Sequence, residues 1–261
     1  MWPGVRRVRV VAARWLRGVG SMCLLAAGVD GSAAGFAAAE TVTVEPVQDA
    51  SLFEDAEGDV ASGSGPVVFA GNNRTLITRR GVLLFDVSAA IPPGALIDAV
   101  ELRLWVESAP LPDTTAVAVH RVTAHWGEGA SASPGGAGTE AESGDATWRH
   151  RFYPDSLWSA PGGDFEPQAL AVAEVGPEGA HTWSGPGLTA DVQRWLNEPP
   201  ENHGWLLQGD ETGPQTVRAF HSREAESAAL RPALVVTYTP RDVSVNRTNW
   251  GALKRLRPHG F

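Results

Sequence analysis

Tryptophans are the residues of this sequence with the clearest chemistry to offer. Seven of the ten, Trp105, Trp126, Trp148, Trp158, Trp183, Trp195 and Trp205, stand between residues 40 and 240. An aromatic face stacks on the apolar face of a sugar ring, so exposed tryptophans point to glycan binding. Trp126, Trp148 and Trp158 bracket or follow a Gly/Ser/Ala-rich stretch from Gly127 to Asp145. Binding residues concentrate on loops, and these three are the candidate ligand contacts, although the alternative is that they pin the loop to a scaffold. Trp105 joins them as a fourth candidate, because it alternates out of phase with Leu102, Leu104 and Val106 and is expected outside the core. Trp195 and Trp205, in apolar surroundings, read as core.

Other chemistries find little support. Six histidines fall in the same region, but none stand at i, i+4 or His-x-His spacing and no His-Glu-x-x-His occurs, so no metal site is expected from spacing. His221-Ser222-Arg223-Glu224 offers a hydroxyl beside a base, yet strand neighbours point to opposite faces; the segment reads as a strand end and turn with Arg223 and Glu224 solvated. Carboxylates are too numerous for any glycosidase pair to be preferred. No catalytic residue is assigned. Glu54-Asp55-Ala56-Glu57-Gly58-Asp59 has the oxygen density of a structural Ca²⁺ loop without the Asp-x-Asp-x-Asp-Gly spacing, and reads as an acidic surface loop. Asp86 and Asp191 are expected to bind backbone N–H groups at a strand end or helix start. No cofactor is implied.

These residues need a scaffold, and period-two alternation supplies one. In Val100-Glu101-Leu102-Arg103-Leu104-Trp105-Val106-Glu107 the even positions face a core. Comparable strands are expected at 41–47, 66–70, 82–87, 115–123, 169–175, 203–208, 216–222 and 233–238, punctuated by Gly, Pro and Asn. This is the pattern of an all-β, two-sheet antiparallel β-sandwich, jelly-roll-like. One short helix is expected near residues 188–197, where Leu188, Val192, Trp195 and Leu196 share a face, with Thr189 as N-cap and Pro199-Pro200 as its end. The stretch 127–145 has no apolar period and reads as a long solvent loop.

The two ends read differently from the body. Arg6, Arg7, Arg9, Arg14 and Arg17, the apolar run from Gly18 to Val29, and Ala37-Ala38-Ala39 read as a secretory signal at residues 1–39, cleaved near Ala39. The run is shorter than the ~20 residues that span a bilayer, so no membrane insertion is expected after its removal. Cys23, the single cysteine, falls in this leader; the body has no disulfide and is held by its core. Residues 241–261 read as a basic, appended tail. The chain carries −9 overall; residues 1–39 contribute +4 and residues 241–261 another +4, which leaves −17 on residues 40–240. Such a body repels nucleic acid and anionic lipid.

An ordered set of blocks resembles a known family. Arg80-Gly-Val-Leu-Leu-Phe-Asp-Val-Ser88, Ile91-Pro-Pro-Gly-Ala95, Trp126-Gly-Glu128, Asp145-Ala-Thr-Trp148, Leu188-Thr-Ala-Asp-Val-Gln-Arg-Trp195, Asn202-His-Gly-Trp-Leu-Leu207, Phe220-His-Ser-Arg-Glu224 and Arg231-Pro-Ala-Leu-Val-Val-Thr-Tyr238 follow one another in the order of the domains called DNRLRE. These domains overlap carbohydrate-binding module family 96. The resemblance runs from about residue 49 to residue 238. It implies a secreted, non-catalytic sandwich that binds extracellular polysaccharide or sits beside enzyme modules, alginate being the ligand associated with the module family. The alternative is a structural or adhesive cell-surface domain that contacts other proteins.

Overall fold

The computed structural model describes residues 38–241, so the signal at 1–39 and the basic tail lie outside the described residues except at 38, 39 and 241. The elements run β1 (Glu40–Val44), β2 (Gln48–Phe53), β3 (Val60–Ser62), β4 (Val67–Asn72), β5 (Thr78–Leu84), α1 (Val87–Ala90), β6 (Leu96–Ser108) and β7 (Thr115–Arg121). After these come β8 (Thr139–Glu140), β9 (His150–Phe152), β10 (Ser156–Leu157), β11 (Ala171–Val175), β12 (Gly179–Ser184) and α2 (Pro186–Asn197). The chain closes with β13 (Trp205–Gln208), β14 (Arg218–His221) and β15 (Ala233–Thr239). All nine strands read from alternation are present, and the molecule is an all-β, antiparallel sandwich.

One sheet is built around β6, whose partners are β15 and then β14 along one edge and β12 along the other, with β1 outside β15. The second runs β11-β7-β13-β5-β2-β3-β8. The two join at β4, which pairs with β14 at Val67–Ala70 and with β5 at Gly71 and Asn72. Gly71 makes this crossing at φ +109°, a conformation open to glycine, with Thr216 and Val217 within 3.0 Å of where a Cβ would stand.

Between the sheets lies the main core. Leu102, Leu104, Val106, Leu234 and Val236 from the first sheet meet Leu83, Val117, Val119, Trp205 and Leu207 from the second. Helix α2 adds Leu188, Val192, Trp195 and Leu196, and the rings of Trp195 and Trp205 lie 4.8 Å apart. The helix begins two residues earlier than its apolar stripe. Gly185 is the N-cap and Pro186 opens the first turn, where a missing N–H costs nothing, so Thr189 lies inside the helix and is not the cap. Asp86 caps α1 as expected, accepting from Ala89 N. Asp191 departs from expectation: it sits within α2, accepts from Trp205 Nε1 at 3.1 Å and faces Arg121 Nε at 3.5 Å.

A third layer corrects the reading of residues 127–145 as a solvent loop. The outer face of the second sheet presents Ala50, Leu52, Val82 and Leu206, and the chain between β7 and β11 covers it with Val122, Trp126, Ala146 and Trp158. Ser131, Ser133 and Asp145 are buried within the stretch, and β8 pairs with β3. Side chains replace apolar periodicity as the organising force: Asp145 accepts from Ser131 N and Glu142 N, and Ser131 O accepts from Gly63 N and Ser64 N. This cover also explains why β2 escaped the alternation test, since it is buried on both faces. Among the described residues no helix is long and apolar enough to cross a membrane.

Candidate functional site

Strand β5 sends Arg80 out of the second sheet on the same side as Val82, into the covering layer. There its Nε and Nη2 donate to the two carboxylate oxygens of Glu211 at 2.7 and 2.9 Å, and Nη1 donates to Gly162 O at 2.9 Å. The guanidinium carbon lies 5.0 Å from the Trp148 ring centroid and 5.2 Å from that of Phe165. With its charge paired bidentately and its guanidinium over both rings, Arg80 fixes Trp148 by electrostatic attraction to the ring quadrupole. Gly162 completes the seat: its N–H donates to Trp148 O at 2.6 Å, and at φ +93° it lies against the indole with no side chain between.

Trp148 is half-buried and lines a cleft of about 330 Å³ with Glu54, Asp55, Ala56, Arg149 and Pro161. The acidic loop forms the opposite wall. It is held in shape by Asp55 Oδ2, which accepts from Gly58 N at 2.7 Å, and by Glu54 Oε2, which accepts from Thr78 N at 2.8 Å. Arg149 ties loop to cover by donating from Nη1 to Ala56 O at 2.9 Å. The cleft thus sets one aromatic ring beside carboxylate acceptors and a guanidinium donor, which is the equipment for a polyhydroxylated ring with an apolar face.

The four candidate tryptophans part company. Trp126 and Trp158 retain 4 % and 5 % exposure and donate their indole N–H groups to His203 O and Thr147 O, each at 2.9 Å. Both are held inside the covering layer, and the expectation of ligand contact is corrected for them: they pin the long segment to the sheet. Trp105 is 38 % exposed on the outer face of the first sheet, opposite Ala180 of β12. The same face also exposes Arg103, Thr182, Ser184, Thr41 and Thr43. Trp105 and Trp148 therefore lie on opposite sides of the sandwich and share no groove.

A second polar cluster was missed by sequence reasoning. Arg223 and Glu224, expected in solvent, are partly buried with Ser222 fully buried beside them. Arg223 Nη1 lies 3.1 Å from Glu128 and from Glu224, while Asp49 Oδ2 accepts from Arg223 N at 2.7 Å and Asp49 N donates to Glu128 at 2.9 Å. Burial pushes the Asp49 carboxyl well above its ordinary range and raises that of Glu128. Asp49 is 1 % exposed, so this carboxyl is out of reach of a substrate and ties β2 to the turn after β14. Only spatial proximity assembles the cluster; no local spacing announces it.

No protein-family model matches the chain, and no curated protein matches it significantly.

Proposed function

We propose that this chain is an exported, non-catalytic module of the DNRLRE type that binds extracellular polysaccharide in the cleft at Trp148. The observation that carries this reading is the seating of Trp148 by Arg80 next to Glu54, Asp55 and Arg149. A preset ring needs little ordering when ligand arrives, and carboxylates and guanidinium hydrogen-bond to hydroxyls. Charge selects among glycans. A body at −17, with Glu54 and Asp55 at the cleft, opposes a polyuronate such as alginate, so the ligand is a neutral polysaccharide. A glycan array and a pull-down against cell-wall and algal polysaccharides test the reading. Binding to neutral chains supports it, and no binding at millimolar ligand counts against it.

A second reading, a structural or adhesive domain that contacts other proteins, is favoured by one feature. A groove of about 680 Å³ runs between the start of β6 and α2, lined by Ile97, Val100, Pro186 and Ala190, with Leu96 60 % exposed at its rim. Leu96→Glu leaves glycan binding unchanged under the first reading and disrupts surface adhesion under the second.

A further inference from the structure

His125 and His203 stand 78 positions apart in sequence, yet their Nδ1 atoms lie 3.2 Å apart and their ring centroids 4.1 Å apart. The backbone around each ring is fixed independently of the rings. Trp126 Nε1 donates to His203 O at 2.9 Å, Val122 N donates to Gly204 O at 3.0 Å, and Arg151 Nη1 donates to His125 O at 3.3 Å. Asn202 secures the other side, donating from Nδ2 to Phe85 O at 2.7 Å and accepting from Gly204 N at 3.2 Å. Gly204 follows at φ +80°, where a Cβ would stand 2.1 Å from Leu83 O; only glycine allows this approach, which sets the direction of His203. Both rings still reach solvent, His125 exposed and His203 half-buried.

We propose that His125 and His203 form a two-histidine site for a divalent transition-metal ion, with zinc as the reference ion and water completing the shell. Two nitrogens bound to tetrahedral zinc at ~2.05 Å lie about 3.3 Å from each other, close to the 3.2 Å between the Nδ1 atoms; with the ring centroids 4.1 Å apart, the exposed His125 ring turns outward to aim its lone pair at the ion. The two Nδ1 atoms lie within hydrogen-bonding distance, and to bind the ion through Nδ1 each neutral ring carries its N–H on Nε2, so a hydrogen held between the rings moves to Nε2 of its own ring. Imidazole nitrogens favour zinc, copper or nickel over calcium, which prefers oxygen. Among the described residues no three His, Cys, Asp or Glu side chains gather as a metal centre, so only two protein ligands hold this ion and the affinity is modest. Glu201, the nearby carboxylate, is engaged with Arg194 at 3.3 Å. The bound ion clips the beginning of the covering layer to the segment that leads into β13.

The test uses the full chain, free of any affinity tag and stripped with chelator, titrated with zinc chloride by calorimetry and followed by thermal unfolding. One zinc per chain is expected, with the unfolding midpoint raised by about 5–10 °C at a hundredfold excess of zinc over its dissociation constant. His125→Ala and His203→Ala each abolish the effect, while His181→Ala and His259→Ala leave it unchanged. In imidazole ¹⁵N spectra only two histidines shift on adding zinc, and His125→Ala removes both shifts. Should His203→Ala fail to fold, the exposed His125 carries the same test. Absence of saturable binding, or binding unchanged in His125→Ala, overturns the proposal and leaves the pair as a hydrogen-bonded contact.

Discussion

The guanidinium of Arg80 stacks 5.0 Å from the ring of Trp148 while it holds both carboxylate oxygens of Glu211. Removing Glu211 leaves a mostly buried guanidinium without its carboxylate and loosens its hold on the ring. Glu211→Ala is expected to cost about 2 kcal/mol of stability, the range for hydrogen bonds to charged groups. Denaturant unfolding measures this. Glycan affinity should fall in parallel, because Trp148 loses its seat; undiminished affinity in a folded Glu211→Ala protein would show that the seat is irrelevant to binding.

Asp49 sets a pH dependence. Its carboxyl titrates near 3.8 in the unfolded chain and well above that in the folded one, mainly because of burial. The folded state therefore holds a proton that the unfolded state has released. Stability is fully present below the unfolded value and declines as pH rises through the folded one. Glu128 acts in the same direction. Asp49→Asn keeps an acceptor for Arg223 N and removes the ionisation, so its urea midpoint should fall less than that of the parent between pH 4 and pH 8. Equal declines in the two proteins would mean that Asp49 does not govern the slope.

The tryptophans of the covering layer are expected to behave as core. Trp158→Ala should cost about 3–5 kcal/mol, the usual loss for emptying a buried aromatic site, and Trp126→Ala about the same. Trp105→Ala, at an exposed strand position, should change stability by less than about 1 kcal/mol. Chemical denaturation of the three variants separates the classes, and a large loss for Trp105→Ala would place that ring in packing.

Much of the scaffold was legible because alternation is a local property. Leu102, Leu104 and Val106 declare their face within one strand, and the helical stripe of Leu188, Val192, Trp195 and Leu196 does so within one helix. The covering layer was hidden because its order rests on Asp145, Ser131 and backbone groups, which carry no apolar period. Trp148 could be named from its place beside the loop, but its setting could not: Arg80 and Glu211 meet across 131 positions. Trp126 and Trp158 look like Trp148 in sequence, and only burial divides them. The histidine pair and the Asp49–Arg223 contact were equally silent, being products of topology.

The proposed grip of Trp148 on a neutral polysaccharide is tested by calorimetric titration of the parent and of Trp148→Ala with soluble fragments of a neutral glycan bound on an array. The parent should bind saturably, with affinity unchanged by added salt or chelator, and Trp148→Ala should remain folded and bind about tenfold more weakly, the loss of one aromatic stacking contact. Equal affinity in the two proteins, or binding confined to acidic glycans and abolished by salt, would show that Trp148 does not grip a neutral chain.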